Sequence, residues 1–328
     1  MYRRIVIDTD PGVDDALALI LALRSPEIRV EAVTTVGGNV DLEQTTRNAI
    51  RILSMVDPKP PPLLGKGRNP PAGDKPVRAQ SVHGRDGLGE LERFLKADGS
   101  PMYPEVDVPR DLPQATEVIS ELLDRYPDEI LLVTLGPLTN LAELLTVAPK
   151  RARRLQRVIV MGGAIGVAGN VTPGAEFNIL ADPVSASRVF ASGLPISLVP
   201  LDVTRQVKLG KELLEGLKRE GCDRVAGFLI HATAKALEFM EAREGSAFLA
   251  LHDPLAVGVA IDPSLVETVP LHVEVETRGE ITLGMTVADR RPILPHFKEK
   301  PNVDVAVGVD AERFLKLFRE RVCPGWWS

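Results

Sequence analysis

Arg4-Ile5-Val6-Ile7-Asp8-Thr9-Asp10-Pro11-Gly12-Val13-Asp14-Asp15-Ala16 runs from a β-branched stretch, through a Pro-Gly turn, into an apolar run that continues to Arg24. Ile5-Val6-Ile7 reads as a strand buried on both faces, and Ala16-Leu17-Ala18-Leu19-Ile20-Leu21-Ala22-Leu23 is apolar all round, as an enclosed helix must be. Four carboxylates, Asp8, Asp10, Asp14 and Asp15, crowd the junction. Two would cap the helix, because its free N–H groups and macrodipole favour negative charge. Four exceed that need. Like charges about 5 Å apart repel by roughly 3 kcal/mol per pair at an effective dielectric of about 20. The cluster therefore requires a counter-cation, a bound proton or full solvation. Apolar elements on both sides oppose solvation, so the junction is a predicted cation site. An over-capped helix that binds nothing is the alternative.

Working outward, strand-like runs at 4–8, 29–36, 62–65, 129–135, 156–161 and 195–201 alternate with helix-like runs at 14–24, 42–56, 115–126, 138–147 and 182–192. A long irregular segment extends from 66 to about residue 90. This order predicts an α/β fold, a mostly parallel central sheet flanked by helices around a Rossmann-like core. Beyond residue 203 the pattern is mostly helical, with a long helix around 223–242 and another opened by His252-Asp253-Pro254. Leu271–Glu276 and Glu280–Val287 alternate about Thr277-Arg278-Gly279 and predict a β-hairpin. A strand at 303–309 and a helix at 310–321 close the chain. Without repeats or a Ser/Gly-rich linker, residues 1–328 are expected to form a single domain.

In parallel sheets ligands bind beyond the carboxyl ends of the strands. That edge collects Asp8 to Asp15, Gly37-Gly38-Asn39, Gly136-Pro137-Leu138-Thr139-Asn140 and Gly162-Gly163. Asp10, Asp14 and Asp15 are hard oxygen donors with no Cys or His beside them, which favours a hard divalent cation over zinc. A second constellation, Asn170 to Asn178, sets Asn170, Glu176 and Asn178 in a Gly/Pro-punctuated loop. One carboxylate and two amides can hydrogen-bond several hydroxyls at once, which suits a sugar, although polar loop residues are often simply wet. Asp182-Pro183 reads as an N-cap with a proline at the first helical position, and Asp253-Pro254 either as another such cap or, within Leu251-His252-Asp253-Pro254, as part of a chemical motif. His252, just before it, adds a group that titrates near neutrality and could protonate a leaving group. His83, in Val82-His83-Gly84-Arg85-Asp86-Gly87-Leu88-Gly89, is either a lid residue or, more commonly for such a segment, a solvent-exposed loop histidine. No role is assigned to His231, His272 or His296.

Composition limits the partners. The chain has 328 residues, 44% of them hydrophobic, and a net charge of −6, enough for a large core. With no basic arm and 4% aromatics, nucleic acid is not an expected partner. Lys150-Arg151-Ala152-Arg153-Arg154 reads as a solvated connection that complements a helix C-terminus. Cys222 and Cys323 are too few for a disulfide framework and lack metal-ligand spacing, as in a reducing compartment. No signal peptide or membrane span is expected, which makes a cytoplasmic protein the expectation.

Together, Asp8-Thr9-Asp10-Pro11-Gly12-Val13-Asp14-Asp15-Ala16, Asn39, Leu135-Gly136-Pro137-Leu138-Thr139-Asn140, Met161-Gly162-Gly163, Asn170 through Asn178 and His252-Asp253-Pro254 resemble the inosine-uridine preferring nucleoside hydrolase family. The motifs follow family order from residue 5 to about 260, and Gly284–Asp289 resembles the family's tail less strongly. The resemblance implies calcium-dependent cleavage of a ribonucleoside into ribose and free base, through an oxocarbenium-like transition state. Carried over, Asp10, Asp15, the carbonyl of Leu135 and Asp253 would hold Ca2+. Asp14, Asn39, Asn178 and Asp253 would grip the 2′ and 3′ side of the ribose, and Asn170 and Glu176 its 5′-hydroxyl. Phe177 and His83 would join the substrate-binding surface. Asp10 would act as general base toward the water held by the ion, and His252 as the leaving-group acid. A homodimer or homotetramer is also implied.

Val13 stands where some family members have His. The 223–250 segment lacks the tyrosines that members often place there, leaving His231, Phe239 or Arg243 as candidate base contacts. Two other readings compete. Ile7-Asp8-Thr9-Asp10 superficially fits an aspartate-nucleophile phosphotransferase with Thr134 as its strand-end hydroxyl, but no strand ending in Asp-Asp follows Lys208 or Lys211. A calcium-dependent ribose or nucleoside binding protein would keep the ligands without turnover, and the presence of Asp10 and His252 argues against it.

Overall fold

The computed structural model describes residues 2–71, 77–210, 223–245, 247–292 and 299–322. Its strands are β1 (Arg3–Thr9), β2 (Ile28–Thr35), β3 (Leu63–Lys66), β4 (Ile130–Thr134), β5 (Arg157–Met161) and β6 (Ile196–Val199) in the first part of the chain. β7 (Lys208–Gly210), β8 (Phe248–Ala250), β9 (Val266–Leu271), β10 (Val273–Val275), β11 (Thr286–Ala288) and β12 (Val303–Val309) follow. Eight of them form one sheet in the order β3-β2-β1-β4-β5-β6-β12-β9, parallel throughout except for the edge strand β9. The expected α/β architecture is the observed one.

Period-two geometry sends alternate residues of β1 to opposite faces. Ile5 and Ile7 enter one hydrophobic core and Val6 enters the other, all fully buried. The Val13–Leu23 helix is enclosed as its composition requires, packed against β2 and the Leu42–Val56, Arg224–Glu244, His252–Ile261 and Ala311–Val322 helices. Successive strands step outward from β1 to β3 on one side and from β4 to β6 on the other, so the chain reverses direction between β1 and β4. Loops diverge at such a switch point and leave a crevice. Asp10 follows β1 there, and Leu135 follows β4.

Three expectations need correction. The hairpin pairs Val273–Val275 with Thr286–Ala288, not Leu271–Glu276 with Glu280–Val287. The Glu276 carboxylate accepts the N–H groups of Arg278 (2.8 Å) and Gly279 (3.1 Å), closing a turn, and pairing resumes only after an exposed loop carrying Ile281. Residues 280–283 thus form a loop, Gly284 and Met285 bond back to Glu276 at 2.8 and 2.9 Å, and Leu271 ends β9 on the main sheet. Second, the run at 195–201 splits, because Pro200 ends β6 and starts a helical turn, Leu201–Thr204. Third, Asp253 is not a cap: the helix begins at His252 after Leu251, which places the Asp253 carboxylate in the first turn. Asp182, by contrast, caps as expected, accepting from the N–H of Ser185 at 3.0 Å. Arg151 and Arg154 in the basic run pair with Asp124 at the surface. Cys222, Cys323, Lys211 and His296 lie outside the described residues. Among the described residues, no helix is long and apolar enough to cross a membrane.

The His252–Ile261 helix lies on the Val13–Leu23 helix, and Gly258 lets it approach fully buried Phe314. A Cβ at Gly258 would stand 2.5 Å from a ring carbon of Phe314. Gly258→Ala is expected to destabilise the protein by about 1–3 kcal/mol through overpacking, seen as a lower urea midpoint at unchanged m-value.

Candidate active site

Asp10, Asp14, Asp15 and Asp253 meet at the crevice from two directions. Asp14 and Asp15 occupy the first turn of the helix after β1, and Asp253 the first turn of the helix lying on it. Both helix starts present positive dipole ends to the carboxylates. Oxygens of Asp14, Asp15 and Asp253 lie within 4.8 Å of one another. Thr9 Oγ1 donates to Asp15 Oδ1, and the Gly12 N–H donates to Asp15 Oδ2 at 2.9 Å. Asn39 joins Asp10 to this group: its N–H donates to Asp10 Oδ2 (2.7 Å) and its Nδ2 to Asp15 Oδ2 (3.1 Å). The Asp10 carboxylate is threaded between the ends of β2 and β4, where Cβ atoms at Gly38 and Gly136 would fall 2.0 and 2.4 Å from its two oxygens.

The charge in this pocket is not compensated from within. Burial, then repulsion from Asp15, holds the Asp10 carboxyl well above the usual carboxylate range. Burial does the same to Asp253, reinforced by Asp14, Asp15 and Asp10. Asp14 and Asp15 are each pushed up to about 6, chiefly by burial. Among the described residues no Lys or Arg forms an ion pair with any of the four, and Asp10 Oδ1 is buried without a hydrogen-bond partner. An orphaned carboxylate oxygen beside three converging carboxylates fits a hard divalent cation.

The sequence-predicted residues fall into three groups. Asp10, Asp14, Asp15, Asn39 and Asp253 assemble as described. Asp14, assigned by resemblance to the ribose alone, also contributes an oxygen to the converging set. The Leu135 carbonyl accepts from Asn178 Nδ2 at 2.6 Å, which ties the β4 edge to the second constellation. In that constellation Glu176 is buried and caps the Phe177–Ala181 helix, accepting from the N–H groups of Gly163 (3.0 Å), Asn178 (3.0 Å) and Ile179 (3.2 Å). Asn170 Oδ1 accepts the Phe177 N–H at 2.9 Å. Burial, with a smaller push from Asp14, raises the Glu176 carboxyl, and the three backbone donors oppose that rise.

The two histidines complete the site. His83 is not a solvent-exposed loop residue: its side chain is 12% exposed, and Nδ1 accepts the N–H of Val13 at 3.0 Å, satisfying a free donor of the helix start. His252 Nδ1 lies 2.7 Å from Thr204 Oγ1. Burial pushes both imidazoles down to about 4, so both are neutral at neutral pH. His231 is engaged away from the carboxylates, stacked on Phe94 at 3.9 Å and bonded through Nδ1 to the Tyr103 hydroxyl at 2.8 Å. Arg243 lies over the Phe239 ring at 5.8 Å.

Asp8 stands behind the site, not in it. Fully buried, its Oδ1 accepts from Thr34 Oγ1 (2.6 Å) and Asn140 Nδ2 (2.8 Å), an unsuitable setting for a phosphoryl-accepting nucleophile. Asn140 also donates to the Thr35 carbonyl (3.0 Å) and accepts the N–H of Arg68 (3.0 Å), holding three strand ends together. Sequence reading gave no role to Thr9, Asn140 or Thr204. Thr9 and Asn140 stand at or just after strand ends, which is the signal that points to them; nothing local marks Thr204 as a partner of a residue 48 positions away.

The profile of the inosine-uridine preferring nucleoside hydrolase family matches residues 5–316. Among similar proteins, a pyrimidine-specific ribonucleoside hydrolase RihA of Enterobacter sp. (strain 638) is 37% identical over 323 residues, covering 98% of each chain. A non-specific ribonucleoside hydrolase RihC of Escherichia coli (strain SMS-3-5 / SECEC) is 40% identical over 323 residues, again 98% of each. A purine-preferring ribonucleoside hydrolase from Gardnerella vaginalis superposes with a TM-score of 0.84 at 33% identity, over 98% of both chains. The plant nucleoside hydrolase PpNRh1 superposes with a TM-score of 0.85 at 33% identity, covering 99% of this chain and all of that one. A profile match along nearly the whole sequence, the shared sheet and the carboxylate crevice agree: this chain belongs to the inosine-uridine preferring nucleoside hydrolase family.

Proposed function

We propose that this ribonucleoside hydrolase works with a calcium ion, and that Asp10, Asp15, Asp253 and the Leu135 carbonyl hold it. The carrying observation is the buried carboxylate set that no Lys or Arg among the described residues neutralises, with Asp10 Oδ1 left unbonded. Several convergent carboxylates suit calcium, which accepts many oxygen ligands in irregular geometry, better than magnesium, which keeps its waters. When bound, such an ion supplies positive charge that acidifies and orients a water and engages vicinal ribose hydroxyls.

The chain's residues do the rest. Breaking the ribosyl C–N bond builds positive charge on the sugar. Asp14 and its neighbours are fixed in place before that charge develops, so they stabilise it without reorganising. Asp10 takes the proton of the attacking water; its second oxygen, held by the Asn39 N–H, keeps the carboxylate oriented. Asn39, Asn178 and Asp14 position the 2′ and 3′ side of the ribose, and Asn170 and Glu176 the 5′-hydroxyl, with Phe177 and His83 along the substrate surface. His252 serves the departing base. We further place the enzyme in the cytoplasm as a homodimer or homotetramer acting in nucleoside salvage, as the family resemblance suggests.

A panel of inosine, adenosine, guanosine, uridine and cytidine tests the reading: base should be released with added calcium and not with a chelator. Ligand binding without release from any of them would establish a binding protein instead. Asp10→Asn should lower kcat by about 10² to 10⁴ while circular dichroism stays native, and an activated p-nitrophenyl riboside should not restore the rate.

The ion's effect on stability should depend on pH. Asp14 and Asp15 have folded-state values of about 6 without an ion, against an ordinary 3.8. Their protonation therefore favours the metal-free fold below about pH 4, and that contribution disappears as pH rises through about 6. Above that range a bound ion would compensate the buried negative charge. Calcium should raise Tm more at about pH 7.5 than at about pH 5, as measured by thermal melts with calcium or chelator.

A further inference from the structure

The Leu201–Thr204 turn carries no residue of the family motifs, yet it reaches both ends of the site. Asp202 accepts the N–H groups of Ile165 (2.9 Å) and Gly166 (2.7 Å), and Arg205 donates to the carbonyls of Ala168 and Gly169 (2.8 Å each). These bonds fix the turn to the loop that leads into Asn170 and Glu176. Between them Thr204 is fully buried, and its hydroxyl meets His252 Nδ1 at 2.7 Å. The residue before His252 is tied to the same region, since the Leu251 N–H donates to the Val207 carbonyl at 2.9 Å. The distance between Thr204 and the imidazole is thus held from both sides.

The direction of that hydrogen bond decides the chemistry of the ring. A buried hydroxyl hydrogen left without an acceptor costs its full desolvation. Thr45, Thr46, Thr146 and Thr233 direct theirs to a backbone carbonyl three or four residues back. Thr204 makes no such bond among the described residues, and its one side-chain partner is His252 Nδ1. The hydroxyl therefore donates, Nδ1 accepts, and the ring's own hydrogen resides on Nε2. His83 shows the same arrangement without ambiguity, because the Val13 backbone N–H can only donate to its Nδ1.

We propose that Thr204 is a positioning residue that sets the tautomer of His252, so that the ring presents Nε2–H to the leaving nucleobase as a neutral hydrogen-bond donor. The inference rests on the reading of His252 as the group that serves the departing base. The C1′–N bond breaks with its electron pair on the base nitrogen, which accepts the Nε2–H bond. The attacking water adds its oxygen to C1′ and yields a proton to Asp10, and solvent supplies the proton that completes the free base. A neutral donor assists departure without adding a cation beside a sugar that is itself becoming cationic.

Steady-state kinetics of the calcium-loaded wild type, Thr204→Val, Thr204→Ser and His252→Ala on uridine, inosine and p-nitrophenyl riboside test this. Thr204→Val should lose about tenfold to a hundredfold in kcat on the nucleosides, with KM nearly unchanged and little loss on the activated riboside. Thr204→Ser should restore the rate. Wild-type kcat in Thr204→Val, or equal loss on all three substrates, would overturn the role of Thr204. Equal loss on all three in His252→Ala would instead overturn the reading of His252. Nitrogen NMR of histidine-labelled, calcium-loaded wild type, assigned with His252→Ala, gives an answer even if Thr204→Val fails to fold. Protonation at Nε2 alone is expected, and protonation at Nδ1, or at both nitrogens, contradicts the proposal.

Discussion

Like charge buried against like charge is the constraint on which this molecule is built. Two helices enclosed by apolar side chains begin at one crevice, and each brings carboxylates in its first turn. Their dipoles favour the negative charge, yet burial holds all four carboxyls above the ordinary range, and repulsion among the acids adds to this at Asp10, Asp15 and Asp253. The surrounding structure must therefore hold the acids rigidly until a cation arrives. That duty accounts for much of what encircles them: Thr9 and the Gly12 amide on Asp15, Asn39 across Asp10 and Asp15, and bare glycine backbone against both oxygens of Asp10.

The fold was legible where one local signal implied one local structure. Ile5-Val6-Ile7 against an all-apolar helix could only be an interior βα unit, and the alternation that followed implied a parallel sheet with its ligands at one edge. Local signals failed where two structures share them. Residues 280–285 alternate like a strand, but 280–283 are an exposed loop, and cross-strand bonding begins only at Gly284 and Met285, which bond to Glu276. Asp253-Pro254 looks like a cap and proline pair, yet the helix begins at His252, two residues before the proline, which frees the carboxylate for the crevice.

The site was legible to the extent that its residues stand at strand ends. Asp10, Asn39, Leu135 and the 170–178 loop all follow strands and could be collected by topology. Their supports could not. Asn140 reaches Asp8 across 132 positions and Thr204 reaches His252 across 48, through contacts that exist only once the sheet is assembled. His83 misled for a related reason: a Gly-rich neighbourhood suggests exposure, but the ring is buried by the helix start it caps.

The seat of His83 has a consequence for how this enzyme can diversify. The segment following it lies on the Arg224–Glu244 helix: Gly89 passes so close that a Cβ would stand 2.3 Å from the Ala232 carbonyl, Glu90 pairs with Lys235, and Tyr103 bonds His231. Tyr103 thus fastens the helix from outside it, through His231 and an edge contact with Phe228. Substitutions along that helix cannot be neutral for His83, since helix and segment share one packed interface, and His83 in turn touches the amide that starts the carboxylate-bearing helix. A change in how this helix packs therefore reaches, through His83, the start of the helix that carries Asp14 and Asp15.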